Sequence, residues 1–111
     1  MTEIVIVLTT VADNDGAEHL ARRLVEERLA ACVNLHAPMA SFYRWQGRVE
    51  RDPERQLVIK TTRARVAALE ARLKELHTYE LPEFLVLPVE VGSAAYVSWV
   101  GEQVDEAEPS F

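Results

Sequence analysis

Hydrophobic and polar positions alternate between two periods along the chain, and each switch marks an element. The first apolar run, Ile4 to Leu8 in "EIVIVLTT", is continuous and β-branched, the pattern of a strand buried on both faces. Asp13, Asn14 and Asp15 then offer caps for a helix whose apolar positions Ala17, Leu20, Ala21 and Leu24 recur at helical spacing. That helix is expected from about Asp15 to Leu29 or Ala30, with Glu18, Arg22, Glu26 and Glu27 on its solvated face.

From Cys32 to Lys60 aromatic and β-branched residues flank turn material, which predicts two long strands joined by a hairpin with its tip near Gly47. Pro38 should bend the first of them or place it at an edge, and Arg51 to Glu54 is expected to be irregular or bulged. Val66, Leu69, Leu73 and Leu76 mark a second amphipathic helix, and "EFLVLPVEVG" a last long strand with Pro88 at an edge or bulge. Pro82 biases Leu81 toward extended backbone and is expected to end the helical region. Ser93 caps a short third helix, and residues 105–111, "DEAEPSF", form an acidic tail, leaving one domain over residues 1–104. Strand, helix, strand, strand, helix, strand is the α+β, ferredoxin-like βαββαβ order.

The long hairpin changes the picture from monomer to assembly. Strands of about ten residues at roughly 3.3 Å each overhang a sheet covered by helices of about fifteen residues. Phe42, Tyr43 and Trp45 would then lie exposed beside unpaired strand edges, and a closed ring of subunits is the economical way to cover them.

Composition narrows the partners. A net charge of −6 disfavours nucleic acid and anionic membrane, and the single cysteine, Cys32, excludes an intrachain disulfide. The run Ile4–Leu8 is too short to span a bilayer and follows the acidic Glu3 instead of a basic flank, so a cytoplasmic protein is expected.

Five stretches, "LVEERLAACVN", "FYRWQGRVE", "IKTT", "HTYELPE" and "AYVSWV", resemble in order and spacing the successive signatures of the CutA family, the divalent-ion tolerance proteins. The resemblance covers about Val5 to Gly101 and implies a ferredoxin-like subunit, a homotrimer akin in architecture to the PII signalling trimers, and a role in tolerance of copper and other divalent metals. It implies no catalytic activity and no required cofactor. Three positions depart from the family pattern. Ala12 and Thr78 stand where the family often has proline, and Met39 where it has glycine. The copper positions of some members, a cysteine in the first strand and adjacent histidines before the last motif, correspond to Thr9 and Leu76 with only His77 retained.

Candidate chemistry centres on "HTYELPE". His77, with Glu80, Glu83 and Tyr79 close in sequence, offers a mixed nitrogen and oxygen site for Cu(II) or Zn(II), on the strength of the resemblance more than of the spacing. The plainer reading is a histidine closing a helix C-terminus. Cys32 offers a soft thiolate to Cu(I) or zinc, with His36 on the same side of a strand; the plainer reading packs it under the first helix. Glu80 and Glu83 lack the nucleophile and pocket that acid and base catalysis would need. The competing function is a PII-like sensor holding a small anion or metabolite between subunits, for which the chain has no Gly-rich phosphate cradle.

Overall fold

The computed structural model describes residues 3–105. Their elements are β1 (Ile4–Ala12), α1 (Gly16–Glu26), β2 (Cys32–Leu35), β3 (Met39–Trp45), β4 (Arg48–Thr62), α2 (Val66–Leu76), β5 (Leu85–Pro88) and α3 (Ala94–Gln103). A 3-10 turn at Arg63–Arg65 leads into α2. The strands form one antiparallel sheet in the order β2-β4-β1-β5, with β3 paired to the far half of β4. The expected acidic tail lies, apart from Asp105, outside the described residues. Among those residues no helix is long and apolar enough to cross a membrane.

β1 is longer than the apolar run and is not buried on both faces. Thr9 to Ala12 pair with Leu57 to Glu54, so the ladder carries the strand past the point where hydrophobicity stops. Val5, Val7, Thr9 and Val11 turn to the helices, while Ile6, Leu8 and Thr10 stay half-buried on the other face. The helix-side core joins those valines to Leu57 and Ile59 of β4, Leu20 and Leu24 of α1, and Leu69 and Leu73 of α2. Each fully buried leucine or isoleucine there contributes roughly 1.5–3 kcal/mol.

α1 stops at Glu26, three to four residues before the expected end. Arg28 adopts φ 60°, and the amides of Leu29 and Ala30 both donate to the Leu24 carbonyl, a left-handed closure reached without glycine. Arg28 is held there by its own bond from Nη1 to the Gln103 carbonyl. At the other end Asn14, not Asp15, supplies the side-chain acceptor, Oδ1 taking the Gly16 amide at 2.8 Å. Glu27, assigned above to a solvated face, instead ties the helices together. It accepts from Arg72 Nε at 2.8 Å and Nη2 at 3.0 Å, and from Arg23 Nε at 3.1 Å.

The hairpin tip falls where expected, with Gln46 at φ 50° and Gly47 at φ 78°, the paired left-handed conformations of a two-residue turn. Pro38 lies in the break that divides the first long strand into β2 and β3. Arg51 to Glu54, expected to be irregular, are regular β4 residues paired with Phe42 to Met39. The arm is two-stranded, so β4 has an open edge at which a residue without an N–H, Pro53, is tolerated. The last strand is short, Leu85–Pro88 instead of the whole of "EFLVLPVEVG", and Pro88 is on an edge strand as expected. α2 ends at Leu76, with His77 already extended, five residues before Pro82. Ser93 Oγ accepts the Tyr96 amide and caps α3, whose Val100, with Val104 just past its end, packs with Ile4 and Ala31 in a second small core.

The paired guanidinium of Arg72, offset by the cost of burial and aided by Arg23, holds the Glu27 carboxyl below its ordinary value of 4.5. A depressed carboxyl contributes stability above its unfolded value and loses it as pH falls through the folded one. Arg72→Met should therefore be less stable than wild type at neutral pH, and the gap should close below about 4.5 and shrink in high salt. Urea midpoints measured across that range check it; a gap constant with pH would show that lost packing, not the ion pair, is responsible.

Candidate functional site

Antiparallel partners share a face, which allows the side of the sheet away from α1 and α2 to be read from its register; α3 packs on it at Ile4. Leu87, Ile6, Lys60 and Cys32 lie in one row across it, and Leu85, Leu8, Val58 and Asn34 in the next. Thr10 and Gln56 follow, then Ala12, Glu54 and Met39, and the same face runs out along the arm through Ser41, Tyr43 and Trp45. Leu85 and Leu87 are 55% and 46% exposed, while Ile4, on the same face, is buried against Val100 of α3.

Where this face turns into the arm, the corner 78–83 folds over it and encloses a cleft of about 880 Å³. Thr10, Met39, Tyr43, Trp45, Glu54 and Gln56 line it from the sheet, and Thr78 to Glu83 from the corner. His77 anchors the corner. Its Nδ1 accepts the Tyr79 amide at 3.1 Å, which requires the neutral ring to carry its proton on Nε2, and Nε2 donates to the Thr10 carbonyl at 2.7 Å. The two rings, centroids 4.7 Å apart, direct the Tyr79 hydroxyl to Glu54 Oε2 at 2.7 Å. Burial, then the Glu54 carboxylate, raises the Tyr79 phenol above its ordinary range. On the arm the Tyr43 hydroxyl donates to Asp52, which, with some burial and the charges of Asp52, Glu50 and Glu54, pushes its phenol up to about 12.

The structure therefore gathers some of the candidate residues and separates others. Tyr79, Glu80 and Glu83 line one cleft with Phe42, Tyr43 and Trp45, and His77 braces its wall. Tyr43 and Trp45 share a face of the arm, while Phe42, 69% exposed, points from the other with Arg51 over its ring. Cys32 is far from this corner. It pairs with Lys60, four residues along β4 from the partner of Thr10, or about 13 Å. Nor does it pack under α1: Val33 and Leu35 face the core, so Cys32 points to the side away from α1 and α2, half-buried. His36 continues that side beyond the strand and is exposed, its amide donating to the Gln56 carbonyl. Thr9 turns the opposite way, into the core, where its hydroxyl is enclosed without a partner. Among the described residues no three His, Cys, Asp or Glu side chains converge as a metal site.

Sequence reasoning missed Glu54, the deepest polar group of the cleft. Its signal was the strand period, since a charged residue two positions from Asp52 and Gln56 shares their face, but the expected irregularity at Arg51–Glu54 hid that parity.

The chain is an antiparallel α+β fold with three helices, a projecting two-stranded arm and a cleft at the base of that arm. The chain belongs to the CutA1 divalent ion tolerance protein family, whose sequence profile matches residues 5–103. The divalent-cation tolerance protein CutA of Thermus thermophilus is 45% identical over 97 residues, 87% of this chain and 94% of that one. The crystal structure of CutA from Xylella fastidiosa superposes with a TM-score of 0.88 at 42% identity, covering 92% of this chain and 98% of that one. That of the Archaeoglobus fulgidus protein, described as a periplasmic divalent cation tolerance protein, gives 0.88 at 32% identity, with 92% and 99% covered. The family is named for tolerance of metal ions, not for a reaction.

Tyr79→Phe removes the hydroxyl that satisfies the buried Glu54 carboxylate. It should destabilise the fold by about 1–3 kcal/mol, the cost of stranding a buried acceptor. Adding Glu54→Leu to it should recover part of the loss, and denaturant titration of the two variants checks both; an unrecovered loss would place the role of Tyr79 in ring packing alone.

Proposed function

We propose that the chain is a non-catalytic, cytoplasmic homotrimer of ferredoxin-like subunits, one domain over residues 1–104, that binds copper or another divalent metal weakly and serves divalent-cation tolerance. The observation that carries the metal reading is the pairing at the corner. The Glu80 and Glu83 carboxylates have no hydrogen-bond or ion-pair partner among the described residues, whereas both His77 nitrogens are engaged. Ligation by His77 requires it to give up the Tyr79 amide or the Thr10 carbonyl, and that cost makes the affinity weak. Cys32 pairs with Lys60, four residues along β4 from the partner of Thr10, so its thiolate belongs to a separate site.

The bare row of Ile6, Leu8, Val58, Leu85 and Leu87 supports the assembly, since a contiguous apolar sheet face is covered in a soluble protein by another copy or partner. A sensor holding a small anion in the cleft is not favoured, because Glu54, Glu80 and Glu83 line it against the single cation Arg44.

Titrating metal-stripped protein with Cu(II) and Zn(II) should give saturable binding that His77→Ala weakens at unchanged mass by light scattering. Equal binding in both proteins would remove His77 from the site. Trp45→Ala should shift the assembly toward monomer at low concentration, and a sedimentation profile identical to wild type would take Trp45 out of the interface.

A further inference from the structure

Two opposite charges on β4 lack a counter-charge, one toward each end of the strand. Lys60 lies on the side of the sheet away from α1 and α2, in the row of Leu87, Ile6 and Cys32. The rows on either side hold Leu85, Leu8, Val58 and Asn34, and Ile4 and Thr62, none of them charged. The Lys60 ammonium donates to Asn34 Oδ1 and has no carboxylate partner among the described residues. Glu50, half-buried on the arm opposite Tyr43, has no hydrogen-bond or ion-pair partner among those residues. Ten residues apart on one strand, the two side chains leave the same side of β4 but are separated by about 33 Å. They cannot meet within one chain.

Lys60 stands inside the apolar patch of Ile6, Leu8, Val58, Leu85 and Leu87 that another copy covers in the proposed assembly. An ammonium withdrawn from water beside neutral neighbours is costly, so the covering surface has to bring an anion to it. One face of the arm meets that demand. It carries Tyr43 and Trp45 from β3 and Asp52, Glu50 and Arg48 from β4. Asp52 already takes the Tyr43 hydroxyl and Glu54 the Tyr79 hydroxyl, which leaves Glu50 as the uncommitted carboxylate of that face. The other arm face presents Arg44 and Arg51 beside Phe42 and Val49, and would set cation against cation at Lys60. The lengths agree as well, because Glu54 to Arg48 on the arm and Thr10 to Ile4 on the sheet each span about 20 Å.

We propose that the arm of one copy lies on the sheet face of the next, with Tyr43 and Trp45 on the apolar row and Glu50 paired with Lys60. Each copy then gives one arm and receives another, a head-to-tail contact of the kind that closes into a ring. This pairing rests on the reading of the chain as a homo-oligomer and deepens it by naming the surfaces that meet. It depends neither on the number of copies nor on metal.

The separation within one chain makes the pair testable, because two sites so far apart do not couple in a monomer. Lys60→Glu, Glu50→Lys and the double variant are compared with wild type by light scattering, in dilution series at a urea concentration that half-dissociates wild type. Each single reversal sets like charges together and should raise the concentration of half-dissociation at least about tenfold, and the double variant should recover most of that loss. High salt should narrow the differences. If a reversal misfolds, Lys60→Gln and Glu50→Gln give the same cycle, the second substitution costing nothing once the first is made. Single variants that assemble as wild type does, or a double variant that recovers nothing, overturn the pairing; wild type at trimer mass then leaves the trimer reading in place. So does assembly that inorganic phosphate tightens through Lys60 with no effect of Glu50→Gln, which would put a free anion on the lysine. Wild type found monomeric at every concentration without urea removes the pairing and the trimer together.

Discussion

The fifteen residues of β4 are the constraint on which the rest of the structure depends. Glu54 to Thr62 pair with β1, Leu57 to Lys60 also with β2, and Arg48 to Glu54 with β3. Only β5 is attached elsewhere. One strand therefore belongs to two environments. Its inner half is a central strand whose Leu57 and Ile59 are fully buried, and its outer half is one side of a solvated two-stranded arm. An isolated two-stranded ribbon is marginal in water, so the arm derives its order from continuity with the buried half. Glu54 is the residue at which one environment becomes the other.

That junction explains why the cleft forms where it does. Past Ala12 there is no β1 to pair with β4, and the face shared by Thr10, Gln56 and Glu54 would open to water. The corner 78–83 closes over it, held through His77 to the Thr10 carbonyl and through Tyr79 to Glu54. Both bonds bind the segment between α2 and β5 to the two long strands, so a short strand such as β5 keeps its register beside β1. The ionic tie between Glu27 and Arg72 acts on the opposite face, joining α1 to α2. Helix packing and corner closure are thus fastened by separate contacts on the two sides of one sheet.

Much of the fold was legible because it is written in local chemistry. The tip at Gly47, the cap at Ser93, the break at Pro38 and the edge position of Pro88 each follow from one residue's backbone or side-chain constraint. What escaped was decided by partners distant in sequence. Thr9 to Ala12 became strand because β4 was there to pair with them, and Arg51 to Glu54 became regular because β3 was. The end of α1 escaped for a different reason. A left-handed closure is normally signalled by glycine, and here Arg28 takes that conformation, with its guanidinium on the end of α3. The candidate site divided along the same line. "HTYELPE" was visible as a cluster in one stretch, but its deepest partner, Glu54, is 25 residues from Tyr79 and could be found only through the sheet register.

The balance between corner and ligand then follows from what each group has left to offer. His77 is a strong ligand type, yet with both nitrogens committed its first contribution is to shape. Glu54 is equally structural through one oxygen, but its other oxygen opens into the cleft. Among the described residues Glu80 and Glu83 have no hydrogen-bond or ion-pair partner. A cation entering the cleft therefore meets carboxylates before it meets imidazole, and gains its first contacts without breaking any bond that holds the corner. Recruiting His77 is a later and costlier step, because the bonds it must release are those that keep Tyr79 on Glu54. Binding that reached His77 would loosen the very wall that defines the cleft, so occupancy by carboxylates alone and occupancy including imidazole are physically distinct states of the same corner.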